Sequence, residues 1–261
     1  MSQLSTKLQV LIQLLQRDWY IFKQVYLHRV RMCLYWLLLT TFASNMFMPA
    51  MGLQNFGPFI LIGSVISYGF FITMQNAIGL VEDITGNQAI LYELSLPIPQ
   101  WMIFLKFAIT NMMQSFIISL TLLPFGLLVL MNPCPFPDFS FIKFITIFIC
   151  SSIFYGSFGL IFTSVLKSMR QIDNVWLRII FPMWYLGCWQ FSWKTLYNVS
   201  PTLAYLDLLN PLTLIIEAGR SATTDNVGSL PFWPCCIVTL IYAAISCFVG
   251  IYWMKKRLDC L

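Results

Sequence analysis

Along the first 31 residues the apolar positions keep a helical step. Leu4, Leu8, Leu11, Leu15, Trp19, Phe22 and Tyr26 recur three or four apart, while Lys7, Gln9, Gln16, Arg17, Lys23 and Gln24 fall mostly off that line. The pattern predicts an amphipathic helix. Its basic and aromatic residues suit a membrane interface, lying flat ahead of the first span. A helix packed on a partner protein is the other reading of the same stripe. The segment has neither a clean apolar core nor a small-residue cleavage site, so it does not read as a signal peptide.

From residue 32 onward the helical step gives way to long apolar runs separated by polar ones. Six spans are expected, at about 32–51, 56–81, 101–131, 139–166, 175–193 and 231–254. The polar segment EDITGNQAILYELSLPIPQ follows the second span, the proline-rich loop NPCPFPDFS the third, and KSMRQIDN the fourth. A mixed region, 194–230, precedes the last span. No repeat or linker divides the chain, which reads as one membrane domain over 1–261.

Composition agrees with that reading. The chain is 59% hydrophobic and 10% charged, with mean hydropathy +0.77, where a soluble domain carries roughly 25% charged residues. Charge then sets orientation, because basic residues concentrate in cytoplasmic flanks. With the N-terminus inside, Lys7, Arg17, Lys23, Arg29, Arg31, Lys106, Lys167, Arg170, Arg178, Lys255, Lys256 and Arg257 all fall on the cytoplasmic side. Only Lys143, Lys194 and Arg220 fall outside. Both ends are expected in the cytoplasm, the chain in the inner or plasma membrane, and 194–230 on the external face.

Several chemistries are missing. The chain contains no G-x-x-x-x-G-K-[ST], H-E-x-x-H or G-x-S-x-G motif, and its lone His28 sits in the leader. No catalytic residue, metal site or nucleic-acid partner is expected. The eight cysteines include no C-x-x-C pair and lie mostly in apolar runs, where cysteine packs as a small hydrophobe. A bridge from Cys134 to Cys235 or Cys236 requires their loops to meet on an oxidising face. Polar residues inside the spans are uncharged: Gln75, Asn76, Asn111 and Gln114. Such residues most often bond between helices, and ion-coupled transporters place acidic residues or histidines there instead. Uphill transport by this chain would need energy from another polypeptide.

Two motifs carry a resemblance. The segment GNQAILYELSLPIPQWMIFLK, with Glu82 and Asp83 just ahead of it, places Gly86, Leu91, Leu94, Pro97, Trp101 and Lys106 in a distinctive order. Before the last span stands LNPLT, Leu209 to Thr213, followed by Arg220. Together with the span count and the leader, these resemble the ABC transporter type-2 permease family, the membrane subunits of ABC exporters. Leu105 stands where a glycine is common in the family, the Gly86–Pro97 spacing is wide, and Leu186-Gly187 matches only the glycine of a Ser-Gly pair. The resemblance covers most of the chain as pattern rather than dense identity, and fits the branches that export polysaccharides, lipo-oligosaccharides or drugs.

The resemblance implies a coupling helix that seats in an ATPase, with Glu82, Asp83, Gly86, Leu91, Glu93, Leu94 and Pro97 as its residues. It implies that ATP and Mg are bound by that partner, with no cofactor on this chain, and a second permease subunit, most simply a homodimer meeting through spans one and five. The fold expected is all-α: six transmembrane helices, an N-terminal amphipathic interface helix in contact with membrane lipid, the cytoplasmic coupling helix, and short external re-entrant helices before the last span. Asn210, Pro211, Glu217 and Arg220 would form either a gate or a brace at the outer end, with Glu217 and Arg220 paired at i, i+3. Trp184, Tyr185, Trp189 and Trp193, beside Phe191 and Tyr197, read either as an interfacial belt or as a stacking surface along the substrate path. The rival functions are a non-transport membrane scaffold or assembly factor, and an intramembrane lipid-modifying enzyme.

Overall fold

The computed structural model describes residues 2–52, 56–86, 89–96, 98–130, 136, 139–166, 168–223 and 230–258, with side chains from residue 7 onward. All regular structure among them is helical. Among the described residues four helices are long and apolar enough to cross a membrane: α2 (Phe56–Thr85), α4 (Gln100–Leu130), α5 (Phe141–Val165) and α11 (Phe232–Leu258).

The leader and the expected first span form one unbroken helix, α1 (Ser2–Phe47), of 46 residues. The turn expected between a flat leader and a span is absent, because neither proline nor glycine interrupts this stretch. The leader's polar side chains also find partners along α4, given below. The buried stripe of α1 runs through Leu11, Leu14, Phe22, Val30, Cys33 and Leu37, while Leu8 is exposed and Leu15 and Trp19 are half-buried. Thr40, Thr41, Ser44 and Asn45 dilute its apolar end, which keeps α1 out of the group of four. A short turn, Pro49–Met51, closes the helix, and Gly52 follows with φ 85°, the left-handed conformation that glycine adopts without strain.

α2 is the most buried of the four, and α5 and α11 run the same way, since Lys143 meets Phe232 at one end and Leu160 meets Gly250 toward the other. α1 packs on α2 and α4, α4 on α2 and α5, and α11 lies along α5. Close approach relies on small residues. A Cβ at Gly156 of α5 would meet the Ala108 carbonyl of α4 at 2.4 Å, and one at Gly250 of α11 would meet Leu160 Cβ at 2.6 Å. At one end of the bundle Ile84, Ile90, Phe104, Ala108, Leu160 and Met254 form a separate apolar cluster beneath the six-residue α3 (Ala89–Leu94).

The expected fifth span is broken. A turn at Met169–Gln171 leads into α6 (Ile172–Val175), a π turn over Trp176–Ile180, and α7 (Phe181–Leu186). Pro182 explains the widening, since it offers no N–H and its ring crowds the carbonyl four residues back. The Phe181 N–H accordingly reaches Trp176 O, five residues away. The segment stops at Gly187 and Cys188, whose φ is 58°. It runs antiparallel to α2: Trp176 and Trp184 meet Phe71, and Trp189 bonds Ser64.

At the end away from α3, the chain folds into α8 (Trp193–Val199), α9 (Pro201–Asp207) and α10 (Pro211–Ser221). Every residue from Leu212 to Thr223 is buried. α10 packs on α2, α5, α7 and α11.

Candidate functional site

Three arrangements recur along the bundle, and the first surrounds α3. Gly86 closes α2 by donating its N–H to Glu82 O at 2.9 Å, leaving the Glu82 side chain exposed. Asp83 accepts from the N–H groups of Ala89 (3.0 Å) and Ile90 (2.8 Å), satisfying the first donors of α3. Glu93, 8% exposed, turns inward. Its Oε2 takes the Lys106 ammonium at 2.7 Å, and its Oε1 pairs with Arg17. Asp18 completes the group, binding Lys106 at 3.1 Å, Arg17 at 2.9 Å and the Thr110 hydroxyl at 3.2 Å. Two carboxylates and two cations thus tie α1, α3 and α4 together.

Glu93 therefore does not present its charge outward, as a residue seated in a partner would. The inward turn follows from the helical step: Ile90, Glu93 and Leu94 share the face that packs on the bundle. Leu91 and Tyr92 occupy the opposite face, Tyr92 69% exposed. Pro97 lies outside the described residues.

The second arrangement is α10 and its pins. Asn210 accepts from Leu212 N at 3.2 Å and donates to Met183 O at 2.6 Å, so it caps α10 and ties it to α7. Pro211 follows at the first helical position, where a missing N–H costs nothing. The Glu217–Arg220 pair forms at 2.9 Å with side chains 0% and 4% exposed, inside protein rather than at its surface. Arg220 also donates to Trp189 O (2.9 Å) and Phe191 O (3.0 Å), and its guanidinium lies 3.5 Å from the Phe59 ring centre. Glu217 accepts from Trp193 N at 3.2 Å. Burial pushes the Glu217 carboxyl up from the ordinary carboxylate range, opposed chiefly by the Arg220 charge. Asp207 holds the other end, accepting from Thr213 Oγ1 at 3.0 Å and from the Cys188 thiol at 3.3 Å. Gly219 sits against Ile66 so closely that a Cβ would meet Ile66 Cδ1 at 2.0 Å.

The third is a pair of cavities along α1 and α2, walled by the broken segment. One, of about 440 Å³, is lined by residues including Arg29, Tyr68, Gln75, Trp176 and Trp184. The other, of about 810 Å³, lies toward α10, with Thr40, Phe59, Ile60, Trp189 and Phe191 in its wall. Behind the first runs a polar chain. Gln114 Oε1 accepts from Arg29 (2.6 Å) and Asn76 (2.9 Å), and Asn76 donates to Asn111 at 2.8 Å. Of the four aromatic residues singled out in the sequence, Trp184 and Trp189 stack at 4.3 Å and line one cavity each. Tyr185 points outward, and Trp193 donates to Ala204 O at 2.8 Å, fastening α8 to α9.

Arg17, Asp18, Arg29 and Tyr68 were not foreseen in these places. Each lies far in sequence from its partners, and no local signal specifies which helix it meets. Cys235 and Cys236 are buried on α11, while Cys134 lies outside the described residues. Among the described residues no group of three or more His, Cys, Asp or Glu is arranged to hold a metal ion. Comparison with protein-family models, with curated proteins and with solved structures returned no match.

Proposed function

We propose that this chain is the membrane permease subunit of an ABC exporter of the type-2 family, paired with a second permease and driven by a separate ATPase. The observation that carries the reading is α3. It is a short helix set between two long apolar ones, capped by Asp83 and clamped by Glu93 to Lys106 and Arg17, with Leu91 and Tyr92 exposed. A partner pressing on Leu91 and Tyr92 would move α1 and α4 through the ion cluster and α2 through Asp83, rather than bend a loop. The motif order from Glu82 to Lys106 supports the same reading.

Six crossings follow if the apolar part of α1 and the segment from Met169 to Phe191 each traverse the bilayer beside the four long helices. Alternation of the helices then puts both termini and α3 on one side. Arg17, Lys106, Lys255, Lys256 and Arg257 gather there, the pattern of a cytoplasmic face. The buried and multiply pinned Glu217–Arg220 pair favours a brace at the outer end over a gate. ATP and Mg would be held by the ATPase.

The test is capture. The tagged permease, co-expressed with the ABC ATPase encoded nearest to it, should retain that ATPase through purification in detergent. Tyr92→Asp should release it while the permease still elutes as a folded species. Equal retention by the variant, or no ATPase held by the unaltered chain, removes the coupling role and leaves the scaffold reading ahead.

A further inference from the structure

The smaller cavity holds hydrogen-bond donors without matching acceptors. Arg29 lines it, and among the described residues no carboxylate pairs with that guanidinium; its bonded partner is the uncharged Gln114. Tyr68, 5% exposed, and Trp184, 4% exposed, line the same space. The Tyr68 hydroxyl and the Trp184 indole N–H are buried with no hydrogen-bond partner among the described residues. Buried donors are normally satisfied, and a half-buried cation without a counter-charge is costly to keep. Both features point to an occupant rich in acceptors and negatively charged. The rest of the lining is apolar and aromatic, with Trp36, Phe71, Trp176 and Phe181 prominent. Its volume, about 440 Å³, falls within the roughly 300–1,000 Å³ of small-molecule sites.

We propose that this cavity binds an anionic amphiphile. The phosphate-type head sits on Arg29 and Gln75, further acceptor atoms meet Tyr68 and Trp184, and the apolar body lies along the aromatic wall. Gln75 and Tyr68 are two turns apart on α2 (about 10 Å at 1.5 Å per residue), so the donors suit an elongated head rather than a bare ion. The cavity is walled by α1, α2 and the broken segment, whose π turn at Trp176–Ile180 is the kind of irregularity that occurs frequently at functional sites. This names a cargo class for the export reading and rests on that reading for its transport role. Binding itself needs no ATPase, so it is measured without one, and the two claims fail separately.

The experiment uses the full chain in nanodiscs of neutral phosphatidylcholine, with tryptophan fluorescence as the readout and three probes: dodecyl phosphate, dodecanol and inorganic phosphate. Dodecyl phosphate should give a saturable change, dodecanol a much weaker one, and inorganic phosphate none. Arg29→Gln should weaken dodecyl phosphate binding about 10-fold or more, the scale of a charge-assisted hydrogen bond. Arg29→Lys should retain most of it. A fourth probe, lysophosphatidylglycerol, carries glycerol and ester oxygens beyond its phosphate and should bind at least as well; Tyr68→Phe, which removes a hydroxyl that bonds no described residue, should leave the melting temperature unchanged and weaken that binding about threefold or more. Equal binding of dodecyl phosphate by wild type and Arg29→Gln overturns the proposal. So does a wild-type response that fails to separate dodecyl phosphate from dodecanol, which would mean that the donors serve water. Saturable binding of inorganic phosphate by itself overturns the amphiphile assignment.

Discussion

Consider replacing Arg220 by methionine, which keeps the length of the side chain and deletes its charge. Glu217 is then left fully buried with Trp193 N at 3.2 Å in place of a cation at 2.9 Å, and the carbonyls of Trp189 and Phe191 lose a donor. Breaking a buried ion pair from one side costs about 3–5 kcal/mol, because the surviving charge stays desolvated. Glu217→Leu strands Arg220, which keeps its two carbonyl bonds, and should fall at the lower end of that range. The double variant removes both charges and leaves two carbonyls and the Trp193 N–H short of a partner, at about 1 kcal/mol each, so it should lose about 3 kcal/mol. The expected result is therefore a double variant no less stable than either single one, with a coupling of about 3 kcal/mol or more. Unfolding in mixed micelles of rising dodecyl sulfate fraction, followed by tryptophan fluorescence, measures all four proteins. Additive losses, or single-variant losses below about 1 kcal/mol, would refute a dry, mutually dependent pair and return Glu217 and Arg220 to a solvated surface.

Other outcomes test separate parts of the structure. Gly156→Ala drives a Cβ against the Ala108 backbone carbonyl and should cost about 1–3 kcal/mol, whereas Gly219→Ala meets only the end of the Ile66 side chain and should cost less; the same unfolding assay ranks them. Asn210→Ala removes the α10 cap and the tie to Met183, for a loss of about 1 kcal/mol or somewhat more. Cysteines engineered at the exposed positions Arg170 and Lys194 should react with a membrane-impermeant maleimide from opposite faces, and labelling from one face would refute the six-crossing reading.

The sequence made the apolar helices readable because period and length report burial directly: 101–131 was expected and Gln100–Leu130 is found. Asn210-Pro211 announced the start of α10, since a cap and a proline act within one turn. The i, i+3 spacing of Glu217 and Arg220 predicted their contact for the same reason, although not that both would be buried in protein. What stayed hidden depends on distant partners. The leader's break vanishes because Arg17, Asp18, Tyr26 and Arg29 are held by Glu93, Lys106, Thr110, Gln114 and Thr121. Sequence spacing alone groups Glu93 with its neighbours as a surface of α3, yet a salt bridge to a residue 13 positions on turns it inward. The 175–193 segment reads in sequence as one apolar helix because Pro182 signals a disturbance without saying that it takes the form of a π turn.

The coupling of ATP turnover to α3 tests the central claim most directly. The permease and its candidate ATPase, reconstituted together in liposomes, should hydrolyse ATP at a rate clearly above that of the ATPase alone. The Leu91→Asp, Tyr92→Asp double variant, folded and inserted to the same extent, should fall back to the ATPase-alone rate. An unaltered rate in that variant would contradict the account, because the exposed face of α3 would then play no part in driving the bundle.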